Sequence, residues 1–313
     1  MSQVVVVAIG GNALIPDGSR SSAADQLHSA GVIMGHVANL ISAGHQAIVV
    51  HGNGPQVGFT LLRSELSRAQ VPEVPLDTGV AETQGAIGYN LQQALGNHLR
   101  RRRLPVRVAS VLTQVVVDPD DPAFLIPTKP IGPFYSKEQA RQRRERDGWD
   151  VMEDSNRGWR RVVPSPAPID IIELDAIKGL LAQGWSIICV GGGGIPVVRD
   201  SHGDLLGKAA VIDKDFASSL LARELKADVF MLVTAVEQVY LHFGTPRQQA
   251  LRQINLEHLK RYIAEGHFKP GSMLPKMKSV EAYLEGGGQE AIVTNIESVE
   301  KSVAGTAGTR IIP

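Results

Sequence analysis

Six short runs of β-branched and other apolar residues set the terms for the fold. They are VVVVAI (4–9), AIVVH (47–51), VRVASVLTQVVV (106–117), SIICV (186–190), VFMLVT (229–234) and AIVT (291–294). Several lack any alternation of apolar with polar residues, the pattern expected of parallel strands buried on both faces. Between them lie stretches of helical periodicity. Leu27, Ala30, Met34, Val37 and Ile41 fall on one face, and so do Ala81, Ile87, Leu91, Leu95 and Leu99. Strand, helix and strand repeated in this way predict an α/β chain built on a doubly wound sheet. With 313 residues, 43% of them hydrophobic, the chain can bury a large core in one such domain or two smaller ones.

Charge and cysteine content exclude several partner classes. Lys plus Arg and Asp plus Glu both number 32, so the net charge is zero. A basic field that would hold nucleic acid or an anionic membrane is missing, and any anion must be captured by a local site. Arg100–Arg103 and the charged run at 141–146 read as solvated helix faces rather than RNA contacts. Cys189 is the single cysteine and lies inside SIICV, so no disulfide forms within the chain and a buried strand residue is expected. Met1 leads directly into a short apolar run without a basic segment, and the longest apolar stretches are too short to span a bilayer. A soluble, cytoplasmic protein is expected.

Three strands run straight into glycine-rich turns: AIGGNAL (8–14), VVHGNGPQVG (49–58) and CVGGGGIPV (189–197). Glycine admits a ligand close to the backbone, and a following helix offers unpaired N–H groups to an anion. In open α/β sheets ligands bind at the carboxyl ends of strands, where these turns lie. The familiar nucleotide signatures are absent. There is no GxxxxGK(S/T), HGNGPQVG has one residue too many for the dinucleotide fingerprint, and GGGQEA (286–291) precedes its strand. A nicotinamide-dependent oxidoreductase is therefore disfavoured. His51 ends its strand beside a glycine turn, where substrate contact and a structural hydrogen bond are equally open. Asp118, Asp120 and Asp121 fit Asp-Pro turns better than a metal site.

Three lysines stand in unusual places. In PTKPIGPFY (127–135), Lys129 lies between prolines that lock φ and push the preceding residue toward extended geometry. It belongs to a Pro-, Arg- and Asp-rich departure from the α/β pattern, running from Asp118 to about Pro168 and carrying its own short helix. VIDKDFASSLLARELKAD (211–228) makes Asp213 an N-cap and Lys214 the first helical residue. GSMLPKMKSVEAYLE (271–285) places Pro275 at a similar start, followed by Lys276. A cation at a helix N-terminus opposes the dipole unless an anion sits between them. Two such lysines, with the proline-clamped Lys129 as a third, point to a polyanion such as a nucleotide's phosphate chain, with Asp213 and Asp215 aiming the ammonium groups.

In these motifs the chain resembles the carbamate kinases of the amino-acid-kinase superfamily. AIGGNAL, VVHGNGPQVG, QGAIGYNLQQAL, PTKPIGPFY, RRVVPSPAP, GGGGIPV, AVIDKD and GSM-x-PK follow the family's order, and the final GTRI resembles its closing strand. The resemblance implies a three-layer αβα sandwich around a mainly parallel open sheet, with a protruding subdomain at 118–165. It further implies a homodimer. The part up to about residue 184 would hold carbamate or carbamoyl phosphate, and residues from about 185 to 313 would hold ATP or ADP with phosphate-bound Mg2+. The implied reaction is reversible phosphoryl transfer between ATP and carbamate, in arginine, allantoin or purine breakdown.

Lys129 and Lys214 would serve the transferring group, Lys276 the nucleotide phosphates, and Asp213 would orient the lysines. Backbone N–H groups around Gly10, Gly11, Gly52 and Asn53 would bind the carbamoyl end, with Asn12 supporting its loop. Tyr240 and Met273 would line the adenine. Three positions depart from the family's wording: Ala209, Ala235 and Leu274. Two other readings stay open, another small-acid kinase of the superfamily and a catalytically weak nucleotide binder that regulates a pathway enzyme.

Overall fold

The computed structural model of the chain describes residues 2–15, 22–154 and 157–313, without the side chain of Asn12. Its centre is an eight-stranded sheet in the order Gln253–Asn255, Thr309–Ile312, Ala291–Thr294, Val229–Val233, Val4–Ile9, Gln46–His51, Ser186–Ile188 and Val108–Ser110. All neighbours run parallel except Thr309–Ile312 against Ala291–Thr294. The helices are α1 (Ala23–Ser42), α2 (Gly54–Ser67), α3 (Leu76–Arg101), α4 (Lys137–Asp147), α5 (Leu174–Ala182), α6 (Lys214–Glu224), α7 (Leu256–Ala264), α8 (Met273–Glu285) and α9 (Val299–Val303).

The unbroken apolar strands have the explanation their sequence suggested. Val5, Val7 and Ile9 face one core with residues of α1, α3 and α9, while Val6 and Ala8 face another with residues of α5, α6, α7 and α8. Each strand is covered twice, so neither face has use for polar residues. The result is the αβα sandwich expected from the sequence. Parallel pairing also brings the carboxyl ends of Val4–Ile9, Gln46–His51 and Ser186–Ile188 to one edge, and the three glycine turns follow there.

One expected strand is two. The run at 106–117 splits into Val108–Ser110, which ends the central sheet, and Gln114–Val117, which joins a second sheet with Leu205–Gly207, Ile195–Arg199 and Pro168–Ile171. Between them the Thr113 N–H donates to the Gln84 side chain at 2.9 Å instead of to a strand, which ends the pairing. Periodicity carries no trace of such a side-chain substitute.

Lys129–Tyr135, Trp159–Val163 and Val151–Glu153 form a separate antiparallel sheet. Helix α4 belongs to the same unit and is capped at both ends, by a Ser136–Gln139 capping box and by Gly148 in the left-handed region. Lys129 and its prolines lie on an edge strand, the place where missing N–H donors do least harm. This arm docks against α2. A Cβ on Gly58 would lie 2.0 Å from Gly132 Cα, so the backbones touch where no side chain fits. Two turns further along, Glu65 accepts from Arg161 Nη1 at 2.7 Å and from Trp149 Nε1 at 3.2 Å.

Candidate active site

The three unusual lysines converge. Lys129 Nζ lies 2.6 Å from Asp213 Oδ2, Lys214 Nζ lies 2.6 Å from Asp215 Oδ1, and Lys276 Nζ lies 2.8 Å from Asp215 Oδ2. The arm, α6 and α8 thus deliver their cations to the same three-residue turn. Asp213 is the N-cap of α6, and its Oδ1 accepts from the Asp215 N–H at 2.8 Å while Oδ2 holds Lys129. Three lysines against two carboxylates leave one positive charge, so the cluster avoids a repelling triple cation. Each ammonium has three donors and spends one on its aspartate, which leaves N–H groups for an incoming anion.

Burial separates these pairs. It pushes the Asp215 carboxyl up, but the ammonium groups of Lys214 and Lys276 outweigh it and hold the carboxyl well below the usual range. Burial also pulls Lys214 below the ordinary lysine value, against the attraction of Asp215 and with the repulsion of Lys276. It pulls on Lys276 as well, yet Asp215 more than offsets this and the ammonium ends above its ordinary value.

The expected start of the third helix needs correction. Helix α8 begins at Met273, two residues before Pro275, and its N-cap Ser272 makes no side-chain cap bond. Pro275 is tolerated in the first turn because its missing N–H would have no intrahelical partner there. Leu274 donates its N–H to Lys269 O and packs on the core, so its bulk turns inward. Ala209 and Ala235 are exposed.

The glycine turns form the other wall. A Cβ on Gly52 would meet Gly11 N at 2.6 Å, so the first two loops touch through their backbones. The Gly52 N–H donates to Ile9 O at 2.8 Å, and Gly10 O accepts from the Ala13 N–H. Asn53 is buried, and its Nδ2 donates to Thr83 Oγ1 at 2.9 Å. Asn12's side chain lies outside the described residues. Gly54 approaches Pro130 O, which brings the residue after Lys129 against the second loop. Of the two possibilities for His51, the structure contains the hydrogen bond: Nδ1 lies 3.2 Å from Gly52 O, so Nδ1 carries the proton. Burial lowers the imidazole pKa to about 4, the Gly52 bond opposes this, and Lys214 adds to it.

Tyr240 lies on the strand Val239–Leu241, with its ring 5.8 Å from that of Phe243. Met273 opens α8 three residues before Lys276 and packs on the core that contains Val239 and Leu241. Asp118 and Asp121 cap local turns, through Asp120 N–H and Ala123 N–H, as the Asp-Pro reading held. Among the described residues no group of three His, Cys, Asp or Glu side chains is arranged to hold a metal ion, and no helix is long and apolar enough to cross a membrane.

Sequence reasoning gave Asp215 a share in aiming the lysines but missed that it holds two of them. It also passed over Gln84 and Thr83. The signal was present, since Gln84 interrupts the apolar face Val80, Ile87, Leu91, Leu95 of α3.

The sequence and the doubly covered parallel sheet are shared with known proteins. Residues 3–295 match the model of the Amino acid kinase family. The carbamate kinase of Pyrococcus furiosus is 44% identical over all of both chains. A carbamate kinase-like protein of Escherichia coli is 46% identical, over all of this chain and 99% of that one. The carbamate kinase from Giardia lamblia bound to citric acid superposes with a TM-score of 0.95 at 36% identity, covering 99% of this chain and 98% of that one. The chain therefore belongs to the amino acid kinase family, a phosphotransferase class, and within it to the carbamate kinases.

Proposed function

We propose that the protein catalyses reversible phosphoryl transfer between ATP and carbamate, making ATP from carbamoyl phosphate and ADP in a catabolic pathway. The observation that carries this is the convergence of Lys129, Lys214 and Lys276 on one turn from segments far apart in sequence. Phosphoryl transfer asks a protein for in-line placement and for positive charge on the equatorial oxygens. Lys129 and Lys214 supply that charge to the migrating group, and Lys276 holds the nucleotide phosphates. Asp213 and Asp215 keep the three ammonium groups aimed.

In the ATP-forming direction, an oxygen of the ADP β-phosphate attacks phosphorus. The bond from phosphorus to the carbamoyl oxygen breaks, and its electron pair leaves with carbamate. Carbamate and the ADP phosphate are already anionic oxygen nucleophiles, so neither direction needs a general base. The backbone N–H groups of Gly10, Gly11 and Asn53 hold the carbamoyl end, while Gly52, whose own N–H is taken by Ile9 O, shapes the turn that presents them. The first loop has no lysine of its own, and Lys129, stiffened by its prolines and strand, makes up that charge at little entropic cost. Tyr240 and Met273 line the adenine side. Mg2+, when bound, would be held mainly by the nucleotide phosphates and water and would supply charge neutralisation between the phosphates; Asp213 and Asp215, paired with the lysines, are the nearby acidic groups that could bind its water.

On this reading residues up to about 184, with the 118–165 arm, form the carbamate part and residues from about 185 the nucleotide part. A homodimer in the cytoplasm fits the same likeness. The open edge strand Val108–Ser110, with Tyr89 and Leu112 exposed at 61% and 55%, supports the dimer. Sedimentation that finds only monomer would remove it. The activity itself is tested by supplying carbamoyl phosphate, ADP and Mg2+ and measuring ATP. Rapid ATP formation is expected. Nucleotide binding without turnover would instead favour a regulatory role.

A further inference from the structure

The third glycine turn does not stand alone. Val190 has φ 52°, and Gly192, Gly193 and Gly194 have φ 68°, 97° and 93°. A β-branched residue in the left-handed region is strained and persists only where its surroundings over-determine it. Here the surroundings are two buried polar side chains. Gln84 is 3% exposed, and its Nε2 donates to Gly191 O at 2.8 Å and to Thr113 O at 3.1 Å. Its Oε1 accepts from the Thr113 N–H at 2.9 Å. The Thr113 hydroxyl in turn accepts from the Val190 N–H at 2.9 Å.

What this turn touches gives it consequence. A Cβ on Gly191 would lie 2.3 Å from His51 Nε2, and one on Gly192 would lie 2.2 Å from Asn53 Nδ2. On the other side, a Cβ on Gly193 would lie 2.4 Å from Ile212 O, the carbonyl before Asp213. One strained turn is therefore pressed between the carbamoyl loop and the peptide that leads into Lys214. Its position sets the spacing between them.

We propose that Gln84 is a positioning residue for phosphoryl transfer: from α3 it clamps the Val190–Gly194 turn, and through that turn fixes the carbamoyl loop relative to Lys214. Gln84 itself touches no substrate. The kinetic consequence rests on the carbamate kinase reading, whereas the mechanical coupling does not.

The test uses the full chain with Gln84→Met and Gln84→Glu. Methionine keeps the length and loses every bond. Glutamate keeps an acceptor for the Thr113 N–H, but its second oxygen faces two carbonyls and can bond one of them only when protonated. Gln84→Met is expected to lower kcat by roughly 10- to 100-fold, the scale of a misplaced reacting group, with the Kd for ADP within about twofold of wild type. The kcat of Gln84→Glu relative to wild type should rise as pH falls from about 8 to about 6, while that of Gln84→Met stays level.

Hydrogen exchange supplies a readout free of turnover. In Gln84→Met the amides of 190–194, and with them those of 52–53 and 212–213, should exchange faster, while 229–233 stays as in wild type. Faster exchange confined to 190–194, or spread over the whole chain, overturns the coupling. So does a kcat within about twofold of wild type in both variants. Should Gln84→Met fail to fold, the pH dependence of Gln84→Glu and its exchange at the same amides decide instead. A wild-type protein that makes no ATP would sink the proposed reaction, and the exchange pattern would still judge the clamp.

Discussion

Two parts of the lysine cluster solve the same problem differently. Lys214 and Lys276 share the carboxylate of Asp215, and the Lys214 and Asp215 side chains are only 10% and 7% exposed. Lys129 reaches Asp213 from the arm, and that pair is 24% and 22% exposed. The first arrangement is part of the folded core, where a lone charge is expensive. The second is a contact between arm and body that water can replace. The charge of the cluster is thus part of the core on one side, and on the other its structural duty is confined to the cap that Asp213 makes on α6.

The sharpest way to break this contrast is to remove each carboxylate. Asp215→Ala leaves the buried Lys214 ammonium and the half-buried Lys276 ammonium without the carboxylate that bonds them both, and is expected to cost about 3–5 kcal/mol of stability. Asp213→Ala should cost about 1–2 kcal/mol, the loss of an N-cap and a partly exposed pair. Urea midpoints read both. Equal losses would mean that burial does not distinguish the two pairs.

Removal of the lysines sharpens the comparison. Lys129→Ala and Lys214→Ala are each expected to lower kcat by about a hundredfold or more, the scale of losing one preorganised donor. Their stabilities should differ. Lys129→Ala should stay within about 1 kcal/mol of wild type, whereas Lys214→Ala should lose about 1–3 kcal/mol because one oxygen of buried Asp215 loses its partner. Only burial, which spacing does not reveal, sets Lys214 apart. Kinetics with thermal unfolding separates the outcomes, and near-normal turnover in either variant would remove that lysine from the reaction.

A smaller effect is expected from the arm's anchor. Glu65 on α2 binds Arg161 and the Trp149 indole, and α2 starts at the Gly52–Asn53 turn. Glu65→Gln weakens these charge-assisted bonds and should lower kcat by roughly tenfold through looser delivery of Lys129. The KM for ADP should hardly move. A rise in that KM with constant kcat would place the arm's role elsewhere.

How much of this was legible beforehand depended on the kind of force involved. Strands covered on both faces must be apolar throughout, so VVVVAI and AIVT could be read almost to the residue. Lysines at helix starts oppose a dipole, and that local conflict exposed Lys214 and Lys276 before any coordinates. Partnerships across the chain left no such mark. The sharing of Asp215, the Glu65 anchor and the bonds of Gln84 to Thr113 and Gly191 link segments whose separation no periodicity encodes. The start of α8 was misread for a related reason: Pro275 marks a first turn but does not say which residue of it, and the packing of Leu274 decided.

The last expected effect is a pH dependence and concerns His51, which lies between the two halves of the comparison and feels the charge of Lys214. Its folded pKa is about 4 against an ordinary 6.5. Above pH 6.5 the imidazole is neutral in both states and adds no pH dependence. Between pH 6.5 and 4 the unfolded chain takes up a proton that the folded chain refuses, so stability falls as pH falls. At 1.36 kcal/mol per unit the full loss is about 3 kcal/mol. His51→Asn cannot titrate, so the gap in unfolding free energy between wild type and variant should shift by about that amount across this window, against the wild type as pH falls. Urea melts at several pH values read the slope. Because Lys214 helps keep the imidazole neutral, the wild-type slope should ease in Lys214→Ala as the folded pKa moves back up. An unchanged slope there would mean that burial alone holds His51 neutral and that the buried half of the cluster ends at Asp215.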